Sequence, residues 1–365
     1  MSRRADVTLV VTLLVAIVFP FPAHASPARL IHPPHTSPLF EHGATAAIVV
    51  DLTTGIELYD HNADAPAPPA STMKVVTALV ASELLPLEMV VTIAPSDLLD
   101  TEAYSVMGLL AGDEVTVHAL LHGLLMPSGG DAALALARAA GAALDPTARD
   151  PIQRFVTELN AYAASIGMRH THYTNPIGAD EPGPQHSSAR DLALATQALL
   201  DDWLLARIVA SRYAVVEVGG PNARAIELFS TNLFLERDDV FGIKTGTDDG
   251  AGQCLIAGFW RGDNQILTVV LGSTDRYADT QSLMDEVDAH YRWVALGAGA
   301  RSAGATDVLA ASGMRFMIRR TVVMTAGQSD QLDWELRLND SAVGDHVGVV
   351  RFTIGEREVA RIPVY

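Results

Sequence analysis

Apolar positions change their period several times along this chain, and each change marks an element. Ala46 to Val50 is a continuous apolar run, followed by Asp51-Leu52-Thr53-Thr54-Gly55-Ile56-Glu57-Leu58-Tyr59. Two short β-type runs around a polar turn predict a hairpin. The three prolines of Ala65-Pro66-Ala67-Pro68-Pro69 lack backbone donors and break regular structure. Val75, Val76, Ala78, Leu79 and Val80 then recur at near-helical spacing, which predicts a helix from Ser71 to about Leu84. Further helices are predicted over about 117–125, from about Asp131 (almost all Ala and Leu, hence buried), over 151–167 and over 188–211. From Gly242 to Thr274 the pattern turns to β, with strands around Ile243-Lys244-Thr245, over 254–260 and over 265–272. A helix around 280–295 closes this part. Residues 296–313 are small and rich in Gly and Ala, as a linker is. Met314-Phe316-Ile318, Trp334-Leu336-Leu338, Val347-Val349 and Val359-Ile362-Val364 predict short strands, so the chain ends in a small β-rich appendage. There is no internal repeat.

Length and composition fit that division. A chain of 365 residues holds one large domain and a small one, and its 49% apolar content supplies a core. The predicted organisation is a signal peptide over 1–25, a main domain over 26–297, a linker over 298–313 and a β-rich domain over 314–365. Arg3 and Arg4, the apolar run from Val7 to Phe19 and the small-x-small site Ala23-His24-Ala25 have the order of a secretory signal. The run is short for a membrane span, which needs about 20 apolar residues. The expected location is therefore outside the cytoplasm: periplasm, cell wall or secreted. A formal charge of −18 argues against nucleic acid and anionic membrane as partners. The lone Cys254 excludes an internal disulfide, and its apolar run predicts a buried strand residue rather than a nucleophile.

The charged residues carry a sharper signal. Of 25 lysines and arginines only two, Lys74 and Lys244, are lysines. A lysine loses its proton when crowded or desolvated, whereas arginine does not. Ser71 and Lys74 lie at i and i+3 where a helix begins, so both sit on one face. A serine hydroxyl is a weak nucleophile until a neighbouring base takes its proton. Lys74 is that base if burial or a nearby cation, such as Lys244, lowers its pKa. Taken alone, Ser71-Thr72-Met73-Lys74 reads first as a capped helix start with a solvated lysine. Ser128-Gly129-Gly130 just before a helix, and Lys244-Thr245-Gly246 on a strand, supply the context.

Ser-x-x-Lys, Ser-Asp-Asn and Lys-Thr-Gly together mark penicillin-binding proteins and class A β-lactamases. From about Ala46 to Tyr291 this chain resembles the D-alanyl-D-alanine carboxypeptidases, the low-molecular-mass penicillin-binding proteins. The similarity extends to Ala70 to Leu79, Leu124 to Ala133, His170 to Gly178, Ser187 to Asp191 and Gly242 to Leu255. It implies an α+β fold: an antiparallel five-stranded sheet flanked by helices, with an inserted helical lobe, plus the small C-terminal β-rich domain. It also implies hydrolysis of the terminal D-Ala-D-Ala bond of a peptidoglycan stem peptide through an acyl-serine, with β-lactams acylating the same serine and no cofactor or metal. In that scheme Ser71 attacks, Lys74 is its base and Ser128 passes a proton to the leaving amine. Lys244 and Thr245 bind the terminal carboxylate, Gly246 lets the strand approach, and the N–H groups of Ser71 and Thr247 form the oxyanion hole.

One position departs from the pattern. Gly130 stands where the family usually has asparagine, a side chain that bridges toward the lysine and the substrate backbone. Water, Asp131 or Asn232 as a stand-in, an altered preference, or a sluggish site are the open alternatives, and a non-catalytic muropeptide binder is the reading from another class. A β-lactamase or DD-endopeptidase on the same scaffold is the alternative among hydrolases. His118 and His122 have a metal-ligand spacing but lack the glutamate of a zinc protease, so they read as a packed or solvated pair. Asp248-Asp249-Gly250 reads as a turn. The end Arg361-Ile362-Pro363-Val364-Tyr365 reads as a strand with no basic amphipathic pattern, so no C-terminal membrane helix is expected.

Overall fold

The computed structural model describes residues 42–179, 185–300, 304–339 and 347–365; the expected signal segment lies outside them. The chain begins with β1 (Ala46–Asp51) and β2 (Ile56–His61). A 3-10 turn over Ala70–Met73 leads into α1 (Lys74–Leu84), followed by β3 (Val90–Thr92) and β4 (Glu114–Thr116). Then come α2 (Val117–Leu125), α3 (Gly130–Leu144), α4 (Pro151–Ser165), α5 (Ala189–Asp201), α6 (Trp203–Val209), β5 (Tyr213–Val218) and β6 (Arg224–Phe229). The main part closes with β7 (Val240–Asp248), β8 (Gly252–Arg261), β9 (Asn264–Ser273) and α7 (Arg276–His290). The C-terminal part holds β10 (Tyr291–Gly297), α8 (Ala305–Ala311), β11 (Arg319–Thr325), β12 (Leu332–Leu338), β13 (Gly348–Ile354) and β14 (Arg357–Val364).

Five strands form one antiparallel sheet in the order β2-β1-β9-β8-β7. Ile48, Val50, Ile256 and Val269 face the helical lobe, whereas Ala47, Val49, Leu255, Ala257 and Val270 face Leu283, Met284 and Val287 of α7. Both faces are covered, so the central strands read as unbroken apolar runs rather than as alternations. The lobe of α1 to α6 is inserted between β2 and β7. Its Ala-rich helix α3 lies buried against α1, α2 and α4, as expected from its composition.

Several elements differ from the sequence reading for local reasons. The helix predicted over 188–211 is two helices, because the Asp202 side chain accepts from the Leu204 and Leu205 N–H groups and starts α6 afresh. The last helix of the main part ends at His290, and the chain continues as β10, which pairs with β11. The β5–β6 hairpin and the short β3–β4 pair were not predicted. Met314-Phe316-Ile318 is not a strand; only Phe316 bridges, to Val364. The segment expected as linker carries α8, whose Ala305 and Leu309 are buried with Phe316, Val350, Phe352, Ile362 and Val364 in a separate core. That core covers the sheet β12-β13-β14. The Trp293 Nε1–H donates to Asp51 Oδ2 (2.8 Å) and the Tyr291 hydroxyl to the Leu58 carbonyl (2.8 Å), tying the C-terminal part to the β1–β2 side of the main sheet. Among the described residues no helix is long and apolar enough to cross a membrane.

Candidate active site

Ser71 lies in the 3-10 turn that opens α1, and Lys74 is the first residue of the helix proper. The spacing brings the Lys74 Nζ within 2.7 Å of Ser71 Oγ. The Ile177 carbonyl accepts a second hydrogen bond from Nζ, also at 2.7 Å. Lys74 is only 3% exposed. Burial drives its pKa down from 10.5 to about 7, against the opposing pull of the Asp131 carboxylate. An amine of that affinity loses its proton near neutral pH while already touching a hydroxyl, which is the arrangement a general base requires.

Ser128 faces the same cleft from the turn between α2 and α3. Its backbone is left-handed, φ +66°, a conformation that disfavours a residue with a Cβ. The surroundings enforce it: the Gly129 N–H donates to Gly123 O and the Gly130 N–H to Ser105 O, both at 2.8 Å. Asp131 clamps the covering loop, accepting from the N–H groups of Met107 (2.7 Å), Gly108 (3.0 Å) and Leu109 (3.1 Å). The Ser128 hydroxyl is buried, and among the described residues it has no hydrogen-bond partner. Gly130 offers no side chain to the cleft, and a Cβ built on it would lie 2.5 Å from Leu99 Cδ1.

The opposite wall is β7, the edge strand of the sheet. Thr245, Gly246 and Thr247 line the cleft together with Ser71, Ser105, Ser128, Thr231, Gln253, Arg276 and Tyr277, around a volume of about 470 Å³. A Cβ on Gly246 would come within 3.0 Å of the Ser71 and Thr72 nitrogens, so only glycine lets the strand run this close to the nucleophile turn. Thr245 Oγ1 lies 2.6 Å from Thr231 Oγ1. Lys244 is 1% exposed and sits behind this wall, donating to the Thr245 carbonyl at 2.8 Å. Burial, then the charges of Lys74 and Arg276, push its pKa well below the usual lysine value. An anion bound at this wall would oppose that shift and favour the cationic form expected from the motif.

Arg276, absent from the sequence reading, holds the permanent charge. It is the first residue of α7, and it donates to Thr247 Oγ1, to Gln253 Oε1 (3.1 Å) and to the Cys254 carbonyl (3.0 Å). No local motif announces it, since one arginine among many is distinguished only by the fold. Of the suggested stand-ins for asparagine, Asp131 is committed to the loop. Asn232 Oδ1 accepts from the Phe234 N–H, leaving its Nδ2 buried with no partner among the described residues. Cys254 is buried in β8, as expected, and burial pushes its thiol pKa up. His122 bonds back to the His118 carbonyl, and the described residues contain no group of three or more His, Cys, Asp or Glu able to hold a metal. A larger cavity of about 780 Å³ lies between Arg261, Trp293 and Arg319, but none of its lining residues is a paired nucleophile and base.

The fold thus sets a Ser–Lys pair at the start of a helix facing an edge strand of the sheet. Residues 32–275 match the sequence profile of the peptidase family S11, D-alanyl-D-alanine carboxypeptidase, and the chain belongs to that family. It is 34% identical over 258 residues to D-alanyl-D-alanine carboxypeptidase DacC of Escherichia coli, covering 66% of this chain and 59% of that one. The chain thus spans less than two thirds of that relative. The crystal structure of the Streptomyces K15 DD-transpeptidase superposes with a TM-score of 0.64 at 29% identity, over 70% of this chain and all of that one. Penicillin binding protein 6B from Escherichia coli superposes with a TM-score of 0.67 over 90% of this chain and 97% of that one, at 24% identity, a likeness of fold.

Proposed function

We propose that this protein is a serine-type D-alanyl-D-alanine carboxypeptidase that removes the terminal D-alanine of peptidoglycan stem peptides outside the cytoplasm. The observation that carries the reading is the 2.7 Å contact between Ser71 Oγ and an amine whose pKa burial lowers to about 7. Ser71 Oγ attacks the carbonyl between the two D-alanines, and its proton passes to Lys74 Nζ. The N–H groups of Ser71 and Thr247 receive the oxyanion. The carbon–nitrogen bond breaks as Ser128 relays a proton to the departing amine, and D-alanine leaves. Water then adds to the acyl-serine, giving up a proton to Lys74, which passes it to Ser71 Oγ as the ester bond breaks to free Ser71 and the shortened peptide. Thr245, Thr247 and Arg276 receive the terminal carboxylate, which draws a proton onto Lys244 behind them. Every proton transfer is made by a side chain of this chain.

β-Lactams would acylate Ser71 in the same way, since their ring carbonyl and carboxylate mimic the substrate. The test is release of D-alanine from a pentapeptide stem, wild type beside Ser71→Ala, with intact mass after exposure to benzylpenicillin. Release and an adduct on the wild type alone are expected. Stem-peptide binding without release would favour a muropeptide binder, and sustained turnover of nitrocefin a β-lactamase.

A further inference from the structure

The space beside Gly130 is filled by Leu99, whose Cδ1 lies 2.5 Å from where a Cβ would stand. Leu99 belongs to a segment that runs over the N-terminus of α3 and is fastened there at several points. The Gly130 N–H donates to the Ser105 carbonyl at 2.8 Å, and Asp131 holds the next three amides. Met107 is pressed onto Gly123, where a Cβ would meet its sulfur at 2.1 Å. The fastening leaves the exposed Ser105 on the cleft wall with Ser71 and Ser128. The loop thus carries a hydroxyl to the side of the cleft where residue 130 can offer nothing.

We propose that Ser105 is the substrate-contacting group that replaces the missing side chain of residue 130. Its hydroxyl donates to the carbonyl of the amide one residue before the scissile bond, on the wall facing Thr245 and Arg276. A side chain at 130 would have to displace the end of the Leu99 side chain, so the two positions are coupled. This rests on the carboxypeptidase reading above, and the test separates the two. Benzylpenicillin carries the corresponding amide carbonyl in its side chain, whereas 6-aminopenicillanic acid lacks it.

Acylation of Ser71 by both probes is followed by intact mass. Ser105→Ala slows benzylpenicillin about tenfold and leaves 6-aminopenicillanic acid within about twofold, the loss expected for one oriented hydrogen bond. Adding Gly130→Asn together with Leu99→Ala to that variant restores benzylpenicillin to within about threefold of wild type. Equal slowing on both probes, slowing on neither, or no restoration overturns the proposal while the wild-type adduct upholds the enzyme reading. A wild type that neither probe acylates overturns the enzyme reading and this inference with it.

Discussion

Replacing Lys74 with methionine separates the stability cost of the catalytic amine from its chemistry. Methionine has nearly the same length and no charge to desolvate. The wild-type amine falls from a pKa of 10.5 to about 7 on folding. At roughly 1.4 kcal/mol per tenfold in proton affinity, that depression costs the folded state about 5 kcal/mol. The sign follows from proton counting. Between the folded and unfolded values the unfolded chain holds the extra proton, so wild-type stability rises with pH across that window. The penalty is full below about pH 6 and vanishes above the unfolded value. Methionine forfeits the hydrogen bond to the buried Ile177 carbonyl, an offset of about 1–3 kcal/mol. Lys74→Met is therefore expected to be more stable than wild type by roughly 2–4 kcal/mol at pH 6, with the gap closing and reversing toward pH 10. Urea denaturation of both proteins at several pH values measures it, because the difference cancels every titrating group that does not interact with Lys74; Lys244, which does, loses a neighbouring positive charge in the variant. The same variant yields no penicillin adduct. A difference that stays constant from pH 6 to 10, or a variant less stable throughout, refutes the reasoning.

Acylation of wild type by benzylpenicillin should rise about tenfold per pH unit below the Lys74 pKa of about 7 and level off above it; a flat profile from pH 5.5 to 8 contradicts the role given to Lys74. Arg276→Gln removes the permanent cation of the carboxylate wall, so KM for the stem peptide should rise by about tenfold or more with a smaller change in kcat. An unchanged KM argues that Lys244 alone holds the carboxylate. Asp131→Ala strips the acceptor from three loop amides and should lower stability by about 3 kcal/mol or more in thermal or urea unfolding. A loss under about 1 kcal/mol would show that water replaces the clamp.

What was legible in the sequence is what chemistry ties to short spacings. Ser71 and Lys74 three apart on a helix start, Ser128 before a buried Ala-rich helix and the Lys244-Thr245-Gly246 strand all stand around one cleft or immediately behind it. The five-stranded antiparallel sheet and its helical lobe followed from the same resemblance. What escaped depends on contacts between distant segments. Arg276 reaches the cleft because α7 starts beside the beginning of β8, and Leu99 meets Gly130 across a loop whose sequence has no motif. Asp131 looked like a free stand-in carboxylate until its loop amides were in place. The surroundings of Lys244 escaped for a related reason: a motif names the residue, but burial and the charges of Lys74 and Arg276 act on its proton affinity from distant segments. In the C-terminal part, small residues that resemble a linker pack as α8 against a β-sheet core.

Both primary amines of the side chains are enclosed, and the surface cations among the described residues are guanidinium or imidazole groups. Reagents aimed at lysine, whether succinimidyl esters, aldehydes or a lysine-directed endoprotease, thus meet no accessible ε-amino group while the fold is closed. Unfolding exposes both at once, and cleavage after them would divide the chain into three pieces. Labelling of ε-amino groups, told apart from the chain's α-amine by peptide mass, is therefore a built-in reporter of unfolding in this protein, with none of the surface-lysine background of lysine-rich enzymes.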